Sequence, residues 1–92
     1  MPALRCTRVG PGMRDSERTV EVRDIHGQRD FLRVPLGYLE VVGGTYYVPV
    51  GMIQEEPAQQ VALIEFPQEG ECGNWRFWVR MADLLPPKEN SE

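Results

Sequence analysis

Gln60-Val-Ala-Leu-Ile-Glu-Phe66 and Asn74-Trp-Arg-Phe-Trp-Val-Arg80, joined by the loop Pro67-Gln-Glu-Gly-Glu-Cys-Gly73, decide how this chain folds. In the first segment a period of two puts Val61 and Leu63 on one side and Ala62, Ile64 and Phe66 on the other, so both sides are apolar. Periodicity alone cannot tell such a run from a buried helix, and Pro57-Ala-Gln-Gln60 could open one with proline at its first position. Extended chain is the better reading. The run is stopped by Phe66-Pro67, and across a short loop it meets a segment rich in aromatic and branched residues, which suit a pleated surface. In that second segment Trp75, Phe77 and Val79 share one face and read as core, whereas Arg76, Trp78 and Arg80 share the other.

Upstream, two hairpins are legible. Arg18-Thr-Val-Glu-Val-Arg23 alternates, Asp24-Ile-His-Gly27 supplies turn chemistry, and Arg29 to Val34 returns. Tyr38 to Val42 and Thr45 to Val50 flank Gly43-Gly44, a pair suited to a primed turn because both positions need positive φ. Pro49 cannot donate to a ladder, so its strand should lie at an edge or end there. Ala3 to Val9 reads as a first short strand halted by Gly10-Pro-Gly12, Gly51 to Gln59 as a connection, and Ala82-Asp-Leu-Leu85 as one helical turn returning leucines to the core. Residues 1–85 are expected to form a single β domain, with 86–92 a flexible polar tail.

The order from Val61 onward (Val-Ala-Leu-Ile-Glu-Phe-Pro, Glu-Gly-Glu-Cys-Gly, Trp-Arg-Phe-Trp-Val, Ala-Asp-Leu-Leu) resembles the second half of small SH3-like β-barrels. The resemblance covers about residues 45–85. It implies a small antiparallel barrel or strongly bent sheet of five or six strands with one short helical turn. Barrels of this kind bind peptides, nucleic acids and other subunits, and some catalyse as oligomers, so the likeness does not choose a function. The Ala-Leu-Tyr-Asp-Tyr opening of true SH3 domains is missing, and no peptide-binding residue is carried over.

Composition narrows the classes. Ninety-two residues with a net charge of −4 make one small acidic domain, a poor match to general nucleic-acid binding. The charge is uneven: residues 1–33 hold seven arginines against five acids, while 34–92 hold three basic residues against nine acids. Arginine suits bidentate contacts to carboxylate or phosphate, although a GC-rich genome produces the same bias. Cys6 and Cys72 are too few for a disulfide framework, no secretory leader or membrane-spanning run is read, and a cytoplasmic protein with free thiols is expected.

Catalytic and metal chemistry find no support in the pattern. One histidine and two distant cysteines cannot supply the paired spacing of a zinc site. Gly10-Pro-Gly12 has neither the spacing nor the helix and lysine of a phosphate loop. His26 falls in a turn. Cys72, in a glycine-rich loop, should be more exposed than Cys6, but Glu69 and Glu71 disfavour its thiolate. Glu55-Glu56 are neighbours in a connection that should point apart into water. No catalytic residue, metal ligand or cofactor is assigned.

What stands out is Trp78 between Arg76 and Arg80 on the nominally wet face. Three readings stay open: packing within the chain beside arginine stems, burial in a homo-oligomer interface, where Trp and Arg are enriched, or a site for an anion or a stacked ring. Tyr46 and Tyr47 point oppositely, leaving Tyr47 as a further candidate. The two apolar sides of 61–66 favour an interface, because one core can absorb only one of them. The reading is therefore a non-enzymatic binding or assembly module that self-associates as a homodimer or other homo-oligomer through Trp78, Arg76, Arg80 and Tyr47, with a protein or anionic ligand also possible. Two alternatives are kept. One is a nucleic-acid module using Arg18, Arg23, Arg29 and Arg33. The other is an oligomeric enzyme whose site forms between symmetry-related copies.

Overall fold

In the computed structural model, which describes residues 2–85, the chain forms ten short strands and three single 3-10 turns. Five or six strands were expected; there are more because the chain breaks at bends and changes of sheet. The strands are β1 (Ala3–Arg5), β2 (Arg8–Pro11), β3 (Glu17–Arg23), β4 (Arg29–Pro35), β5 (Glu40–Val42), β6 (Thr45–Pro49), β7 (Gly51–Glu56), β8 (Val61–Glu65), β9 (Arg76–Arg80) and β10 (Leu84–Leu85). They make three antiparallel sheets, ordered β10-β1-β6-β5, β2-β3-β4 and β7-β8-β9. The protein is mainly β, and no sheet closes on itself into a barrel. The expected tail, residues 86–92, lies outside the described residues.

The decisive stretch is extended. β8 and β9 pair in register, Leu63 opposite Trp78 and Ile64 opposite Phe77. Glu56–Gln60 turns only once, through a 3-10 turn at Pro57–Gln59, and Gln60 exits it in the left-handed region at φ 61°. That conformation ends the turn before any helix can propagate.

Both hairpins form, the second with a shorter first strand than read: Tyr38 ends a 3-10 turn at Leu36–Tyr38, and β5 begins only at Glu40. Val20 and Val22 of β3 and Leu32 and Val34 of β4 are all buried on one face. Gly43 and Gly44 connect β5 to β6 with φ of 58° and 83°, the primed geometry that matches the twist of the flanking strands. Pro49 closes β6, a strand flanked by β1 and β5; of the two places expected for this proline, it takes the end.

Four features differ from the sequence reading. Gly51–Glu56 is strand β7, not a loop: a bulge between Met52 and Gln54 breaks the alternation that would have revealed it. The first strand is two, β1 and β2, because the chain changes sheets at Cys6-Thr7; Gly10 and Pro11 continue β2. The turn near the end, at Met81–Asp83, is one of three such turns, and Leu84 and Leu85 then form β10 against β1. Trp75, expected in the core, precedes β9 and is 50% exposed, since the strand's alternation begins only at Arg76.

The core gathers Leu4, Cys6, Val20, Val22, Leu32, Val34, Val48, Val50, Ile64, Phe66, Phe77 and Val79 from all three sheets. Phe66 and Phe77 meet edge-to-face at 5.1 Å, a favoured arrangement of ring quadrupoles. Each sheet thus contributes one face to this core, and Ala3 on β1 and Glu21 on β3 are buried on the opposite faces of their strands.

Candidate functional site

The outer face of β7–β8–β9 is where the sequence placed the function. Its central row is Gln54, Leu63 and Trp78; Glu56, Val61 and Arg80 lie on one side, Glu65 and Arg76 on the other. On the inner face Ala62, Ile64, Phe77 and Val79 are buried. On the outer face Val61, Leu63 and Trp78 are only half-buried, Ile53 at the bulge is exposed, and Arg76 and Arg80 stand in water. The two apolar sides of β8 therefore meet different fates: one is core, the other is incompletely covered.

What covers Trp78 in part is the far end of the first hairpin. The Ile25 amide donates to the Trp78 carbonyl at 2.9 Å, and the two residues wall a shallow groove of about 420 Å³ with Gln54, Glu56, Gln59 and Val61. His26 sits at this hairpin end, exposed, in the turn where it was expected.

Arg80 and Arg76 differ in company. Arg80 donates its Nε to Asp83 Oδ2 at 3.3 Å, and Arg5 of β1 donates its Nε to the other oxygen, Oδ1, at 3.2 Å. Arg76 lies opposite Glu65 on β8, and no ion pair to it forms among the described residues. Tyr47 stands apart: it is half-buried on β6, between Arg5 and Glu40 in the ladder, in a different sheet. The structure brings Trp78, Arg76 and Arg80 onto one face and leaves Tyr47 on another.

The arginines of the first hairpin do not form one patch. Arg23 and Arg29 are direct cross-strand partners, a like-charge pairing that needs a counter-charge. Glu21 supplies it, 3.5 Å from each guanidinium while itself buried. The Thr7 hydroxyl, donating to Glu21 Oε1 at 2.7 Å, is the strongest influence holding its carboxyl below the usual range; it and the two arginines outweigh the upward push of burial. Arg33 pairs with Glu71 at 3.0 Å. Arg18 turns away, donating to the Asp15 and Glu17 carbonyls.

Sequence reasoning missed the side chain with the most hydrogen-bond donors among the described residues. Asp30 alternates with Leu32 and Val34 on the buried face of β4, fully enclosed. Burial pushes its pKa up, but four donors overcome that: the amides of Cys72 (2.8 Å), Phe31 (2.6 Å) and Asn74 (3.1 Å), and the Asn74 side chain (2.8 Å). The net result is a carboxylate held below the ordinary 3.8. It fixes the 67–74 loop against β4, where the Glu71 amide also donates to the Phe31 carbonyl at 2.8 Å. Nothing in a lone acid between Arg29 and Phe31 announces this.

Comparison with protein-family models, curated proteins and solved structures finds no match to this chain. Among the described residues no helix is long and apolar enough to cross a membrane.

Proposed function

We propose that this chain is a binding and assembly module that self-associates through the outer face of β7–β8–β9. The observation that carries the reading is the half-covered row of Val61, Leu63 and Trp78, with exposed Ile53 beside it, on the back of a strand whose other side is already core. A second copy is the occupant the charge pattern favours. The face carries Arg76 and Arg80 along β9 and Glu56 and Glu65 on the neighbouring strands. A two-fold axis running along the strands would set β9 of one copy against β7 of the other, and so Arg80 against Glu56, in the self-complementary pattern of an isologous interface. Tyr47 lies outside this contact.

An SH3-like arrangement accompanies the proposal. Its supports are the meander β7–β8–β9, the 3-10 turn at Met81–Asp83 and the return of β10 onto β1. The near-continuous run of β6 into β7 across Val50 adds to them.

Solution mass tests the assembly. Light scattering across micromolar concentrations should give a multiple of 10.5 kDa. Leu63→Glu, which places a charge in the middle of the apolar row, should return the protein to a folded monomer with an unchanged far-ultraviolet spectrum. A wild-type mass that stays monomeric into the high micromolar range removes the proposal.

A further inference from the structure

Beside the assembly face, and complete within one chain, lies a small concavity of about 230 Å³ where the first hairpin's turn meets β1 and the Met81–Asp83 turn. Three guanidiniums from separate elements line it: Arg5 of β1, Arg23 of β3 and Arg80 of β9. Thr7 and Ile25 complete the wall.

Two carboxylates also line the hollow, one bound to two of these arginines and the other turned to backbone amides. Asp83 holds Arg5 on one oxygen and Arg80 on the other. Asp24 turns its Oδ1 to the amides of His26 and Gln28, each at 2.8 Å, closing the hairpin end. Arg23 contacts Glu21 at 3.5 Å, again through Nε. In each of the three arginines the partner sits on Nε. Among the described residues the terminal nitrogens, which form the fork suited to planar or tetrahedral oxyanions, donate to nothing. Asp83 is thus a spacer that sets two guanidiniums side by side; three guanidiniums face two carboxylates in the lining, and Glu21 behind Arg23 is shared with Arg29.

We propose that this hollow binds a phosphate group, free or as the head of a small monoester, held by the terminal nitrogens of Arg5, Arg23 and Arg80. Three arginines around a volume this size favour a compact, doubly charged anion over a singly charged carboxylate, because each fork gains a charge-assisted bond that strengthens with ligand charge. The site does not rest on self-association, since every lining residue belongs to one chain.

The test is calorimetric titration at low ionic strength with inorganic phosphate and, separately, phenyl phosphate; methyl acetate serves as a neutral control. Saturable binding of inorganic phosphate alone identifies the free ion as the ligand. Binding of both identifies the monoester head. Arg80→Gln and Arg5→Gln, at partly exposed positions that leave the buried Glu21 untouched, should each weaken binding by about tenfold to a hundredfold, the usual worth of one charge-assisted bond. Failure of both phosphates to saturate, or equal affinity in wild type and Arg80→Gln, overturns the proposal. Because the readout is heat of binding and not mass, a monomeric protein that still binds phosphate would sink the assembly reading and leave this one standing.

Discussion

The carboxylate of Asp30 occupies the space a side chain on Gly70 would need. A Cβ built on Gly70 would fall well inside 3.0 Å of Asp30 Cγ and both its oxygens. Its backbone does not adopt positive φ, so the requirement for glycine here is one of room and not of conformation. Gly70 also closes the loop, donating its amide to the Asn74 carbonyl at 2.8 Å and accepting from Gly73 at 2.9 Å. Gly70→Ala must therefore either lift the loop or displace a carboxylate bound by four donors. A destabilisation of about 2–3 kcal/mol is expected, the range for overpacking a closed site. For a domain of this size that lowers the melting temperature by roughly 10–20 °C. An unchanged melting temperature would show that the loop is not held as described.

Asp30 should also set part of the acid sensitivity. Its folded pKa lies below the ordinary 3.8, so its contribution is complete above that value and disappears as pH falls through the folded pKa. Glu21, held below 4.5, acts in the same direction. Urea unfolding should give level stability near neutrality and a decline below about pH 4. Asp30→Asn costs about 2–3 kcal/mol at pH 7, because an amide cannot accept from all four donors. Its pH profile should then be flatter than the wild type's, with only the Glu21 part of the decline remaining. A parallel pair of profiles would remove Asp30 from the acid response.

How much of this was readable from residues alone depends on whether a pattern survives locally. β3 alternates in sequence, Gly43-Gly44 allows little but a primed turn, and Phe66-Pro67 stops the 61–66 run opposite a segment rich in aromatic and branched residues, so both hairpins and the extended 61–66 segment were legible. β7 was not, because the bulge at Met52–Gln54 shifts the register and leaves Gln54-Glu55-Glu56 looking like a loop. Trp75 failed for a related reason: its residue type says core, but it lies one position before the strand that would have aimed it inward. The candidate face was legible in its strand order, Arg76-Phe-Trp-Val-Arg80. The groups that surround it, Ile25, Asp83 and Arg5, come from distant parts of the chain and meet only through the fold. The same holds for Asp30, whose four donors come from one neighbour and a loop more than forty residues away.

The Gly43-Gly44 turn offers a conformational test free of packing. A Cβ at either glycine would meet nothing within 4 Å, so only the positive φ opposes a side chain. Gly43→Ala should cost about 1–2 kcal/mol, the penalty for an L-residue in the left-handed region. Gly43→Asn should cost less than half as much, since asparagine tolerates that region. Thermal melts of the two variants check the order. Equal losses would point to contacts at the turn in place of backbone strain.

Thiol reactivity separates the two cysteines and reports on the loop at the same time. Cys6 is buried at 7% exposure, and burial pushes its thiol up to about 12, so it should react with a disulfide reagent only when the protein unfolds. Cys72 is exposed, yet desolvation of its sulfur and then the Asp30 carboxylate raise its thiol above the ordinary 9.0. One thiol per chain should therefore react in the native protein, slowly at neutral pH and faster as alkali populates the thiolate. In Asp30→Asn the negative charge beside Cys72 is gone, and the pH–rate curve should shift to lower pH. A loosened loop would also shift the curve, by relieving desolvation of the sulfur, but only the part of the shift that comes from the Asp30 charge is screened by salt. A difference between wild type and Asp30→Asn that stays the same from low to high salt would show that Asp30 governs Cys72 through loop geometry and not through its charge.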